Sequence, residues 1–436
     1  MTAAPGLSVL IHRPGRPPAR WTHGLAHLET ATRITRRTAF TIGSTTKQIT
    51  AHLTLLAARD NLLSLTQQVR DFLPALRVPD VTVAELVTHH SGIRDTESLL
   101  PLAGLRDLDH YTADDLITLA TRQGTRAAAP DTFLYSSTNY LLLTRILQHV
   151  HQAPLDDIAH TRLFGPLGMG HTRFRNDLRD VIPHTASAYT PTATGWRSTA
   201  QPAPLPGAGS LTTTPEDLSR WLTHLHHLWQ HTGTKLPHCA STPYRASDHH
   251  PYLYGPGLYA DPRPATRQVF HSGHEHGFST AAHLTAAGKQ VICMSNHAAI
   301  DAAALARTLI PYLTSLESGQ IPGLLAEHLA PPPPHVAVPC PPQDGHHTDV
   351  GSYRCADVPG TLRLTHAHGH LHLWRRGTAD RLTATNDQAY SGPGYTLTLH
   401  TPADPRPSGF TLDLARAPGL LYTHVDQADT TRPETS

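Results

Sequence analysis

A run of prolines divides this 436-residue chain. Ala330 is followed by Pro331, Pro332, Pro333 and Pro334, with Pro339, Pro341 and Pro342 close behind. Proline lacks the backbone donor that helices and central strands need, so such a stretch packs into neither and marks a boundary. A large unit is expected over 1–328, a linker over 329–344 and a small unit over 345–436.

Before the prolines, Leu7–His12 and Arg20–Ala26 read as strands joined through a turn at Pro14-Gly15. From Ser44 the pattern becomes helical, with Ile49, Leu53 and Leu56 along one face. Thr82, Thr112 and Thr214 each stand three residues before a carboxylate, the mark of a helix start, and the stretch 44–230 reads as mostly helix and loop. Strands are expected again at Arg267–His271, Ser279–Thr285 and Gln290–Ser295, then a helix over Ala299–Leu316. An antiparallel sheet made from both ends of this unit and flanked by helices is the economical α+β arrangement. After the prolines, short alternating runs such as Thr361–Thr365, Leu371–Trp374, Tyr395–Leu399 and Gly409–Leu414 predict a small antiparallel β-barrel.

Composition excludes several functions. A formal net charge of +1 offers no basic field for nucleic acid or an anionic membrane, and no run of about eighteen apolar residues occurs. The four cysteines, Cys239, Cys293, Cys340 and Cys355, form no C-x-x-C pair and imply no disulfide framework. The 34 histidines are scattered without zinc-site spacing. His366, His368, His370 and His372 alternate around Gly369, which predicts a solvated hairpin in preference to a metal cluster. No metal or cofactor is expected, and the partner is expected to be a small molecule.

Lysine usage is more telling. Only Lys47, Lys235 and Lys289 are lysines among 35 basic residues. Arginine serves where a fixed cation suffices, but a guanidinium cannot give up its proton in a protein, whereas a desolvated lysine can act as a base. Lys47 stands three residues after Ser44 at the start of the helical pattern, so the two side chains share a face within hydrogen-bond reach. A serine hydroxyl needs a neighbour to take its proton, and a helix amino end offers N–H groups to a developing oxyanion. S-x-x-K alone also fits a plain helix cap.

The surrounding segments narrow the choice. Ile42–Gln48, Leu86–Gly92, Leu134–Tyr140, Gly165–Met169, Gly209–Leu218 and His271–Ser279 resemble, in order, the successive motifs of the class C β-lactamase and D-aminopeptidase branch of the penicillin-binding-protein superfamily. The resemblance implies a β-lactamase/transpeptidase-like fold, and the region after the prolines resembles the lipocalin-like barrel attached to D-aminopeptidases and to penicillin-binding-protein-type cyclases. It makes Ser44 the acylated nucleophile, Lys47 the acceptor of its proton and Tyr135 a second proton carrier near the leaving group. The backbone N–H groups of Ser44 and His274 would form the oxyanion hole, with Ser137, His271 and Gly273 beside the substrate.

Three departures from the family pattern follow. Tyr135-Ser136-Ser137 replaces the usual Tyr-x-Asn, exchanging a carboxamide for a shorter hydroxyl. His271-Ser272-Gly273 replaces the Lys-Thr-Gly of β-lactamases, removing a permanent cation for a substrate carboxylate and arguing against β-lactams and carboxypeptidase substrates. Leu7 stands near the start, where family members usually have a preceding helix, so the expected cytoplasmic location is held open to an upstream export segment. The expected function is hydrolysis of a peptide amide or ester through an acyl-serine, with selectivity for D-amino acids as one outcome. Acyl transfer or peptide cyclisation through the same acyl-enzyme is the alternative reading, and a non-catalytic peptide sensor a third.

Overall fold

The computed structural model describes residues 4–104, 111–175, 177, 179–199, 205–231, 240–245, 251–261, 263, 267–329, 348–375, 378–386, 388–400 and 407–425. Two compact units alternate along the chain. Met1–Gln68, Thr82–His89 and Asn139–Val336 form the first, and Val69–Val81, His90–Thr138 and Ala337–Ser436 the second. Apart from Leu329, the linker expected at 329–344 lies outside the described residues.

The first unit is built on an eight-stranded antiparallel sheet drawn from both ends of its sequence. Its strands are β1 (Leu7–Arg13), β2 (Arg16–His23), β3 (Ala240–Arg245), β4 (Pro251–Tyr254), β5 (Tyr259–Asp261), β6 (Gln268–Glu275), β7 (Phe278–Thr285) and β8 (Gln290–Ser295), in the order β3-β4-β5-β6-β7-β8-β1-β2. The predicted turn at Pro14-Gly15 joins β1 to β2, and the strand expected to continue to Ala26 is broken at Gly24, beyond which Leu25–His27 pairs with Thr32–Arg33. The described helices of this unit include α1 (Lys47–Arg59), α2 (Ser137–His151, whose first two residues belong to the second unit), α3 (Pro215–His231) and α4 (Ala302–Leu309).

Every residue of β8 is buried, and side-chain alternation explains how. Val291 and Cys293 join Leu7, Val9 and Ile11 in a core packed on Leu305 and Leu309 of α4. Gln290, pointing the other way, bonds Ser219 and Thr223 of α3. Helices therefore cover both faces of the sheet, and each fully buried Leu or Val contributes about 1.5–3 kcal/mol. The helix expected over Ala299–Leu316 is regular only over Ala302–Leu309 and then tightens into a 3-10 turn at Ile310–Tyr312, because Pro311 has no N–H to continue the α-helical ladder.

The second unit contains the predicted barrel. Nine antiparallel strands among the described residues, between Thr348 and Val425, curl into a nearly closed sheet. Thr348–Arg354 pairs with both Thr361–Ala367 and Ala417–Val425, so the first and last strands are neighbours. Leu362 and Leu364 are buried while the intervening Arg363 is exposed, the alternation expected of a strand with one dry face. The predicted hairpin turn at His368-Gly369 is present, with both residues at positive φ. This unit also holds the helix Ala113–Arg122, opened by the Thr112–Asp115 capping box.

Candidate active site

Ser44 sits in a 3-10 turn, Gly43–Thr46, that runs directly into α1. The turn is anchored on both sides. Ile42 donates its N–H to Leu211 at 2.9 Å, and its carbonyl accepts from Thr280 Oγ1 of β7 at 2.8 Å. Thr45 Oγ1 lies 3.0 Å from the same threonine, and Gln48 Nε2 closes the turn on the Thr45 carbonyl while its Oε1 accepts from Trp221 of α3. Strand β6 passes close to this turn at Gly273. A Cβ there would fall 2.0 Å from the Ile42 carbonyl oxygen and 2.9 Å from the Ser44 nitrogen, so glycine is required by approach. The next residue, His274, places its backbone against Gly43, within 3.0 Å of where a Cβ on that glycine would be.

Lys47 has no solvent exposure, and its Nζ donates to Ser44 Oγ at 2.9 Å and to the Ala208 carbonyl at 2.8 Å. The ring of Tyr140 lies 5.6 Å from the same nitrogen. Two residues inside the motif segments Gly209–Leu218 and His271–Ser279, neither given a role from the sequence, hold Ala208 in place. Glu275, buried at the end of β6, accepts from Ser210 N at 2.9 Å and from Ser210 Oγ at 3.2 Å. Ser210 is held at a φ of +60°, unusual for a residue with a Cβ. Thr50 of α1 and Thr144 of α2 bond the Gly207 and Pro206 carbonyls on the same loop. Leaving a buried donor unmatched costs about 1–3 kcal/mol, so Glu275 and the 205–210 loop fix one another.

His271 lies on β6 and is buried. Its Nδ1 is 2.6 Å from the Ser272 carbonyl and so carries the proton. Burial, helped by the positive charge of Lys47, lowers its pKa to about 3 against the weaker opposing effect of the Ser272 bond. His271 is therefore neutral near pH 7.

Tyr135 and Ser137 belong to the second unit, Tyr135 partly and Ser137 fully buried. Ser137 opens α2, and its backbone N–H donates to the buried carboxylate of Asp95 at 2.7 Å. Among the described residues no group of three His, Cys, Asp or Glu could hold a metal ion, and no helix is long and apolar enough to cross a membrane.

A buried lysine on a serine at the head of a helix, beside a glycine-bearing strand of an antiparallel sheet, defines the hydrolase scaffold shared with penicillin-binding proteins. The family described as beta-lactamase matches residues 1–311, and the chain belongs to that family. A D-aminopeptidase of Gluconobacter oxydans is 24% identical over 332 residues, covering 74% of this chain and 63% of that protein. The first curated relatives are spanned by this chain over 28% to 63% of their length. Among solved structures, an octameric penicillin-binding protein homologue from Pyrococcus abyssi matches with a TM-score of 0.62 at 20% identity, over 96% of both chains. A D-amino acid amidase from Ochrobactrum anthropi, complexed with L-phenylalanine amide, matches with a TM-score of 0.56 at 22% identity, over 67% of this chain and 86% of its own.

Proposed function

We propose that the protein is a serine hydrolase that cleaves a small peptide amide or ester through an acyl-Ser44 intermediate. The observation that carries this reading is the 2.9 Å contact between Ser44 Oγ and the Nζ of a lysine withdrawn from solvent. In the attacking state Lys47 is the free amine, which keeps an N–H for the Ala208 carbonyl and turns its lone pair to the serine hydroxyl. Ser44 Oγ then attacks the carbonyl carbon while its proton passes to Lys47, and the carbonyl oxygen takes up the electron pair facing the N–H groups of Ser44 and His274. Collapse expels the amine or alcohol, protonated by Tyr135; the attacking water gives a proton back to Tyr135 as it releases the acid, and Lys47 returns its proton to Ser44 Oγ.

In this reading Ser44, Lys47 and Tyr135 act on the reacting atoms, with Ser137, His271, Gly273 and His274 bordering the substrate. The neutrality of His271 supports substrates without a free carboxylate at that end. The names of the D-aminopeptidase and D-amino acid amidase relatives support amides of D-amino acids as the first substrates to try. Reaction with a fluorophosphonate, read by intact mass, should add one adduct on Ser44 and none in Ser44→Ala. Turnover should appear within a panel of D- and L-amino acid amides and esters. Labelling that persists in Ser44→Ala refutes the assignment, and transfer of the acyl group to an added amine in place of water would make the protein an acyltransferase.

A further inference from the structure

Asp95 is one carboxylate serving two helices. Its side chain has no solvent exposure, caps the helix Thr96–Leu99 by accepting from Ser98 N at 3.2 Å, and accepts from Ser137 N, the first residue of α2, at 2.7 Å. The opening N–H groups of a helix have no partner within the helix, and a carboxylate satisfies them and suits the positive end of the dipole. Thr138 tightens the junction, accepting from Thr96 N at 2.8 Å. The placement of Tyr135-Ser136-Ser137 therefore depends on the segment Arg94–Thr96.

That segment is in turn gripped by the barrel. Asp95 N donates to the Arg416 carbonyl at 2.9 Å, and Arg416 Nη1 stands 3.3 Å from Asp95 Oδ2. Arg94, with 5% of its side chain exposed, donates to the Pro418 carbonyl at 2.7 Å and the Gly419 carbonyl at 3.0 Å, and pairs with Asp357 at 3.2 Å. Asp357 also accepts from Gly124 N. A buried anion without a counter-charge is strongly unfavourable, and Arg416 brings that charge from the turn between Gly409–Leu414 and Ala417–Val425.

We infer that this barrel turn braces the Tyr135 motif, with Arg416 acting as a positioning residue through Asp95. The inference rests on the role proposed for Tyr135, that of protonating the leaving group. Displacing a proton donor by an ångström can cost on the order of a hundredfold, and the cost falls on leaving groups that need the proton. Fluoride and p-nitrophenolate leave without it.

The test compares full-length wild type, Arg416→Ala and Arg416→Lys in three reactions: D-amino acid amide hydrolysis, p-nitrophenyl ester hydrolysis and fluorophosphonate labelling of Ser44. Arg416→Ala should lower kcat for the amide about tenfold with KM changed less than about twofold, and leave the ester and the labelling within about twofold. Arg416→Lys, which keeps the charge, should recover most of the amide rate. Should Arg416→Ala lose its fold, Arg416→Gln removes the charge with little loss of bulk and gives the same readout. Equal loss in all three reactions, or an unchanged amide rate, overturns the positioning role alone. Wild-type protein that neither labels at Ser44 nor hydrolyses any amide overturns the reading of the site and the brace with it.

Discussion

The two halves of the proposed site are held in different ways. Ser44 and Lys47 are three residues apart on one turn, and that turn is pinned by adjoining strands through backbone bonds and by a glycine where nothing larger fits. Tyr135 and Ser137 lie where a loop enters a helix, and their support is a buried carboxylate whose counter-charge comes from a barrel turn far along the chain. The first half is made by local geometry and close packing, the second by charge and capping. Changes in the first should act on every reaction of the serine, and changes in the second only on steps that need its proton.

The hardest test of this contrast is Lys47. Lys47→Arg keeps a cation but cannot accept a proton, so it should fall about as far as Lys47→Ala, roughly a thousandfold in kcat/KM, for amide, ester and phosphonate labelling alike. Near-normal ester turnover in Lys47→Arg would reduce the residue to an electrostatic role and erase the distinction between the halves. Glu275→Gln should come next. The amide keeps one acceptor where Ser210 presents two donors, which releases the 205–210 loop and with it the Ala208 carbonyl that bonds Lys47. A loss of about ten- to a hundredfold is expected in amide turnover and Ser44 labelling together. Amide turnover falling while labelling holds would move Glu275 to the Tyr135 half.

The same contrast governs what could be read in the sequence. Ser44 and Lys47 were legible because i and i+3 spacing is local, and lysine scarcity drew attention to the pair. The Thr82 and Thr112 capping boxes and the strand Gln290–Ser295 were legible for the same reason. Strand β6 extends to Glu275, past its expected end at His271, because Ser272, Gly273 and His274 show no apolar alternation and owe their strand geometry to pairing with β7. Glu275 lies inside a recognised motif, but its partner Ser210 is 65 residues away. The pairing of Asp95 with Arg416 spans still more sequence, and no pattern of residue types along the chain announces it.

Acid should expose the chemistry of the first half through stability. The pKa of His271 is lowered to about 3 in the folded protein, against about 6.5 in an unfolded chain. Its contribution is fully present above the unfolded value and is lost as pH falls from about 6.5 toward 3, because the unfolded state binds the proton first. His271→Gln should therefore lose less melting temperature than wild type between pH 7 and pH 4.5, while His283, buried on β7 and also lowered to about 3, continues to supply part of the acid sensitivity in both proteins. Parallel melting curves against pH would mean that the pKa of His271 is not lowered by folding, so that part of it is charged near neutral pH, and would weaken the argument against carboxylate-bearing substrates.

The smallest effect is expected at Ser137, and its direction is the informative part. Its backbone N–H is fixed by Asp95 whatever side chain it carries, so Ser137→Asn leaves the brace intact and adds the carboxamide that the family pattern has at this position. Asparagine at a helix start is well tolerated, so folding should be unaffected. Turnover of small D-amino acid amides should rise about two- to fivefold, less than one good hydrogen bond to the reacting amide would give, because the position is buried and the added atoms must displace whatever fills the gap. Fluorophosphonate labelling of Ser44 should stay within about twofold, since the serine's own turn is untouched. A collapse of amide turnover at an unchanged melting temperature would mean that the pocket is shaped around the serine hydroxyl for a substrate other than a simple amino acid amide. In that case the second half of the site, held by its distant brace, would be the part that determines specificity, and the chemistry of Ser44 and Lys47 would carry no information about the substrate.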